Sequence, residues 1–328
     1  MSTPNNAAYL VATAAPLQVK PAPYPVPAPD QVVVKTKALA INPIDHFVQK
    51  LGPDVFKFIE LPAILGYDVA GEVLEVGSGV TRFRPGDRVA GLAEAAFQQY
   101  VPLAEHLTTA VPECITWEQA ATLPMAVSVA TKALFDHDLL GMTVPSLGSD
   151  SSQTKQETVL IWGGSTSVGS CAIQLASAAG YEVVTTSSPR NFEYVKGLGA
   201  NLLGAFQGKH VAGALANGGM DRETYPPIVD TCAKVLQSCH GKKMVAMTMA
   251  PHWGPNHDGV QCRSVGPLRG SQQLAASIFH KFLPEGLSNG HFKPKPEPAV
   301  VGHGLEAVQG AMDVLRAGVS AKKIVVTV

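Results

Sequence analysis

A short apolar run that ends in a glycine-rich turn, restarts as a helix and returns to a second apolar run leaves few folds open. Residues 158–200 hold all of these in order. Thr158-Val-Leu-Ile-Trp162 is rich in Val and Ile and has the length of a buried parallel strand. Gly163-Gly-Ser-Thr-Ser-Val-Gly169 follows with no spacer. The next residues put Cys171, Ile173, Leu175, Ala176 and Ala179 at helical spacing before Gly180 stops the helix. Tyr181-Glu-Val-Val-Thr-Thr186 then predicts a second strand. The result is a βαβ unit whose turn faces a helix N-terminus, where free N–H groups and the helix dipole favour a phosphate.

A dinucleotide site is therefore expected, although such turns also occur for purely structural reasons. Gly164 and Gly169 fit the usual spacing, while Thr166 stands where a middle glycine would let the backbone approach a pyrophosphate. An NAD site wants an acid about 20 residues on, for the ribose 2′-hydroxyl. Ser187, Ser188 and Arg190 stand there instead. Hydroxyls and a guanidinium suit a 2′-phosphate that a carboxylate would repel, so NADPH is expected over NADH.

The 328 residues suffice for about two domains. With a net charge of −1 and 16% charged residues, neither a nucleic-acid-binding face nor a disordered chain is indicated. No apolar stretch nears the roughly 20 residues of a membrane span, and the polar start is unlike a signal peptide. A soluble, cytoplasmic protein is expected, as monomer or homodimer. The five cysteines (114, 171, 232, 239 and 262) include no CxxC pair and read as reduced thiols.

Residues 1–125 read as β-rich. Prolines at 21, 23, 25, 27 and 29 precede the strand pattern Gln31-Val-Val-Val-Lys-Thr-Lys-Ala-Leu-Ala40, and Gly and Pro keep interrupting short strands as in a small barrel. A polar surface loop is expected at 148–156. Near the C-terminus, Leu305, Val308, Met312 and Leu315 have the spacing of a helix's core face.

Four motifs occur in order ahead of the glycine-rich turn: Asn42-Pro-Ile-Asp45, Gly66-Tyr-Asp-Val-Ala-Gly71, Pro85-Gly-Asp-Arg-Val89 and Ala121-Thr-Leu-Pro124. Together they resemble the medium-chain dehydrogenase/reductase superfamily over nearly the whole chain. The turn with Ser188-Pro-Arg-Asn191 is similar to zinc-free fungal members, including the trans-acting enoyl reductases that serve polyketide synthases.

The resemblance implies an α/β protein of two domains. A GroES-like β-barrel catalytic domain would take residues 1–125 and about 285–328. A Rossmann domain, with a doubly wound parallel sheet, would take 126–284. Asn42, Pro43, Ile44 and Asp45 would line the nicotinamide side of NADPH. Ser165, Thr166, Ser167 and Val168 would meet the pyrophosphate, and Ser188, Pro189, Arg190 and Asn191 the adenosine phosphate. Val325 and Val326, with Lys323, would lie near the cofactor cleft.

Zinc members of the superfamily use a Cys near the first motif and a Gly-His-Glu in the second. The corresponding segments here are 42–45 and Gly66-Tyr67-Asp68, without thiolate or imidazole, so no metal site is expected. The implied reaction is NADPH-dependent reduction of an activated C=C bond in a small or carrier-bound acyl substrate, with a polyketide synthase as possible partner. Tyr67 and Thr131 are hydroxyls that could donate a proton. A quinone or alkenal reductase, or an inactive relative, are the alternatives.

After Ala200 the family pattern calls for a third strand, a helix and a fourth strand. Residues 201–210 are too few, because a helix alone takes about 11. A strand–helix unit is expected to be missing here, which would shorten the sheet and bare a strand edge.

Overall fold

The computed structural model describes residues 4–146, 155–202, 204, 206, 208–219, 223–249 and 257–328. The chain divides into two compact units, Met1–Met125 with Leu287–Val328, and Ala126–Gly286. The first unit begins with β1 (Asn5–Leu10), β2 (Gln18–Ala22), β3 (Gln31–Ala40), β4 (Ala63–Ile64), β5 (Asp68–Val76), β6 (Arg88–Leu92), β7 (Tyr100–Ala104) and β8 (Thr108–Ala110). Helix α1 (Pro43–Val55) follows β3, and α2 (Trp117–Ala121) follows β8. Asn42 and Asp45 start α1 as a reciprocal capping box, with Pro43 at the first helical position.

The second unit contains most of α3 (Pro124–Phe135) and then alternates strand and helix. Its elements are β9 (Thr158–Ile161), α4 (Ser167–Ala178), β10 (Glu182–Thr185), α5 (Phe192–Lys196), β11 (Ala200–Leu202), β12 (His210–Ala216), α6 (Tyr225–Gln237), β13 (His240–Gly241), β14 (Met244–Met247) and β15 (Gln261–Ser264). The strands form one parallel sheet in the order β11-β10-β9-β12-β14-β15, with β13 beside β12. That order doubles back at β9, the arrangement of a Rossmann fold. Helices α7 (Gln272–Ala276) and α8 (Leu283–Asn289) follow, joined by a π-helical stretch. Of the polar loop expected at 148–156, residues 148–154 lie outside the described residues.

The expected loss after Ala200 needs correcting: the third strand survives. β11 pairs with β10 over Val183–Thr185, so β10 is not a bare edge. No helix occurs among the described residues between Leu202 and His210. Leu202 is level with Thr185 and Ile161, whereas Val211 is level with Thr158. The return path covers roughly 10 Å along the strands and 14 Å across three spacings. Eight extended residues reach about 26 Å, so the connection closes without a helix. Phe206, from this connection, is only 6% exposed and packs in a core cluster with Leu160, Val184, Val211 and Val229.

The chain then re-enters the first unit with β16 (Glu297–His303), α9 (Val308–Ala317) and β17 (Lys322–Thr327). This unit has a three-stranded sheet, β2-β1-β4, and a larger one in the order β16-β17-β3-β5-β6-β8, with β7 also on β3. The two share one core with α9: Leu10, Val34, Val73, Phe97, Val308 and Met312 are all buried in it. Leu305 is buried there too, and Leu315 packs against it. No helix among the described residues is long and apolar enough to cross a membrane.

Candidate functional site

Two groups of residues could serve chemistry, one in each unit. In the second unit, Gly163 turns with φ +75°, and a Cβ on it would lie 2.4 Å from the Asn217 carbonyl oxygen. A Cβ on Gly169 would lie 2.3 Å from the Gly163 carbonyl oxygen, so α4 starts against the strand end only because both lack side chains. Thr166, in place of the middle glycine, is the N-cap of α4. Its Oγ1 accepts from the Gly169 N–H at 3.0 Å and donates to the Gly163 carbonyl at 2.8 Å. The threonine thus closes the turn on itself.

Among the described residues, the backbone N–H groups of Ser165, Ser167 and Val168 have no hydrogen-bond partner. They sit at the positive end of a twelve-residue helix. The Ser187 hydroxyl, just past β10, is buried and also without a partner. A buried hydroxyl without a partner costs about 1–3 kcal/mol, and open N–H groups at a helix start favour negative charge, so the arrangement suits an anionic ligand with several acceptor oxygens. Ser188, Pro189 and Arg190 are exposed on the next turn, and Asn191 is buried. The fit to a dinucleotide's phosphates is good.

Sequence reasoning missed Asn217. This residue follows β12, 51 positions from Thr166, and its side-chain amide donates to the Thr166 hydroxyl. Its Oδ1 accepts from the Thr248 hydroxyl at 3.2 Å. Turn, β12 and β14 are therefore tied at their C-terminal ends through one 7%-exposed amide. No local pattern signals such a contact.

In the first unit, Asn42, Asp45, Asp68 and Lys323 form a buried polar cluster. The Lys323 ammonium lies 2.9 Å from Asp68 Oδ2 and donates to Asn42 Oδ1 at 2.5 Å. Asn42 Nδ2 donates to Asp68 Oδ2 at 2.9 Å, and the Met125 N–H donates to Oδ1 at 2.6 Å. Asp45 accepts the Asn42 N–H at 2.7 Å through Oδ2, while its Oδ1 has no partner. Burial pushes the Asp45 carboxyl up to about 7; the Asn42 N–H opposes this and the Asp68 charge adds to it.

Of the segment expected on the nicotinamide side, Asn42 and Asp45 belong to this cluster. Asp45, fully buried, caps its own helix and offers no open face to a ligand. Ile44 packs against the core, while Pro43 is exposed. Val325 and Val326 are both 0% exposed, on β17, which pairs with β16 on one edge and with β3 on the other. Of the two hydroxyls named as donors, Tyr67 is half-buried in the first unit. Thr131 is fully buried in the second, its hydroxyl unpaired.

Comparison with known proteins adds to this geometry. A family model, the alcohol dehydrogenase GroES-like domain, matches residues 28–113. Dehydrogenase orf1 of Aspergillus niger is 44% identical over 334 residues, covering 95% of each chain. That alignment is longer than this 328-residue chain, so the relative carries residues missing here. Trans-enoyl reductase himH of Aspergillus japonicus is 36% identical, covering 95% of this chain and 94% of its own. Among solved structures, an alcohol dehydrogenase superfamily protein from Novosphingobium aromaticivorans matches with TM-score 0.78 and 25% identity over 99% of both chains.

Proposed function

The chain belongs to the medium-chain dehydrogenase/reductase family, and from that premise we propose that it uses NADPH to reduce an activated carbon–carbon double bond. The proposed substrate is the enoyl thioester of a polyketide intermediate. Lys323, held between Asn42 and Asp68, is the observation that carries the reading. By resemblance, this is where zinc members of the family keep their metal ligands. An amide and a carboxylate already bound to an ammonium do not fit a zinc ion, which prefers thiolate and imidazole. Carbonyl reduction gains from a Lewis acid, whereas a double bond conjugated to a thioester is already polarised by its own carbonyl. A metal-free site therefore favours the conjugated alkene.

The cofactor, when bound, supplies hydride for the β-carbon, and a proton then reaches the α-carbon to give the saturated thioester. The rest of the task is placement. Ser165, Ser167 and Val168 offer three N–H groups to the pyrophosphate, and Thr166 and Asn217 keep those groups oriented. Ser188 and Arg190, with Ser187 beside them, would take the 2′-phosphate. The relative named as a trans-enoyl reductase supports the substrate class.

The test is turnover of an enoyl N-acetylcysteamine thioester with NADPH, scored by mass spectrometry of the product. A gain of two hydrogens, with no added metal and no loss on chelation, is expected. Turnover of quinones or free alkenals with none of the thioester would overturn the substrate class. Folded protein that turns over none of them would overturn the enzyme reading.

A further inference from the structure

We propose that a groove between α1 and α9 binds phosphate, and that its occupant is the phosphate of the pantetheine arm that presents the acyl thioester. The proposal names a subsite of the enoyl-thioester reading and rests on it. The groove has a volume of about 410 Å³ and lies wholly in the first unit, within the size range of small-ligand sites.

Its floor is fixed. Gln49 of α1 donates to Gln309 of α9 at 2.8 Å and to the Ala15 carbonyl at 3.0 Å, and Gln309 accepts the Leu17 N–H at 2.9 Å. At the rim, Ala14 has φ +61°, a strained setting for a residue with a Cβ, and is pinned by its N–H to the Gln49 carbonyl at 2.7 Å.

The walls are basic. His46 and Lys50, one turn apart on α1, face Arg316 on α9. Burial, then the charges of Arg316 and Lys50, hold the His46 imidazole below its ordinary value, with Asp313 opposing them. Among the described residues Asp313 is the one acid lining the groove, and it lies 3.2 Å from Arg316. Lys50 makes no ion pair among the described residues. Lys50 and Arg316 with one carboxylate between them leave an excess of one positive charge that an anion relieves, and His46 adds a ring N–H.

Placement points to the same ligand. His46 directly follows the 42–45 segment in the first turn of α1. The part of α1 before its break at Gly52 thus starts at Asn42 and Asp45 of the buried cluster and carries His46, Gln49 and Lys50 of the groove. A substrate whose thioester is used beside the cluster and whose arm bears a phosphate has a partner for each end. A carrier protein's phosphopantetheine and coenzyme A both present such an arm, and the groove reads the phosphate they share.

The experiment compares kcat/KM for one enoyl group on pantetheine, on 4′-phosphopantetheine and on coenzyme A. Wild type is set against Lys50→Ala/Arg316→Ala, with equal melting temperature required of the variant. Wild type should prefer both phosphate-bearing thioesters by about tenfold, near the worth of one charge-assisted hydrogen bond. The variant should lose that preference through KM while keeping the pantetheine rate. A preference confined to coenzyme A assigns the groove to that molecule's further phosphates; equal preference for both assigns it to the shared arm. No preference in wild type, or a uniform loss in a folded variant, overturns the proposal. Calorimetric binding of free 4′-phosphopantetheine to both proteins decides the groove even if no thioester is turned over, an outcome that would sink only the parent reading.

Discussion

The ammonium of Lys323 lies 2.9 Å from the carboxylate of Asp68, across 255 residues of sequence, with both side chains at most 3% exposed. The pair joins the last strand of the chain to β5 and fills the heart of the first unit's polar cluster. Removing one partner of such a pair leaves the other charge buried alone, at a cost of about 3–5 kcal/mol. Lys323→Met should lower stability by that amount in urea denaturation. Adding Asp68→Asn, which removes the stranded charge and keeps an acceptor for Met125, should restore a large part. Additive losses in the double variant would contradict the pairing.

Asp45 gives the fold a pH signature. Its folded carboxyl titrates near 7, above the ordinary 3.8, so from about pH 4 to 7 the folded state keeps a proton that the unfolded chain has released. Stability from this group is present below about pH 4 and is lost as pH rises through 7, at up to about 1.4 kcal/mol per pH unit. Asp45→Asn cannot ionise but can still accept the Asn42 N–H. Chemical denaturation between pH 4.5 and 7 should therefore fall less steeply for the variant; parallel profiles would show that Asp45 is not the group.

Phe206 stands in for a helix. It packs against Leu160, Val184 and Val211 from a connection in which none of the described residues is helical. Phe206→Ala should cost about 3–5 kcal/mol and weaken cofactor binding by loosening the sheet under the turn. Phe206→Leu should cost less than half as much. A neutral Phe206→Ala would mean that the connection carries no load.

Asn217 holds the phosphate turn through the Thr166 hydroxyl. One neutral hydrogen bond is worth about 0.5–1.5 kcal/mol, so Asn217→Ala should weaken NADPH binding by roughly threefold to tenfold. The rate at saturating cofactor should not change, because Asn217 acts through Thr166. A fall in kcat with KM unchanged would reassign it.

What could be read in the sequence was local. The glycine-rich turn was legible because Gly163 and Gly169 have no alternative residue, and the α9 core face because Leu305, Val308 and Met312 repeat at helical spacing. Asn42 and Asp45 had a readable signal that pointed elsewhere: Asn-x-x-Asp ahead of an apolar run is a capping pattern, which explains why Asp45 faces its own backbone. β11 escaped because three residues show no period, and its strand character comes only from pairing with β10. Asn217 and the Lys323–Asp68 pair are long-range contacts, fixed by strand register and not by neighbours in sequence.

The central claim is that the turn at residues 163–169 is a working NADPH site although no described residue between β11 and β12 is helical. Isothermal calorimetry of wild type and Arg190→Ala with NADPH and with NADH tests it most directly. Wild type should bind NADPH at least about tenfold more tightly than NADH, a difference of about 1.4 kcal/mol, and Arg190→Ala should erase most of that margin. Equal affinities in wild type, or no binding of either cofactor to cooperatively folded protein, would contradict the account.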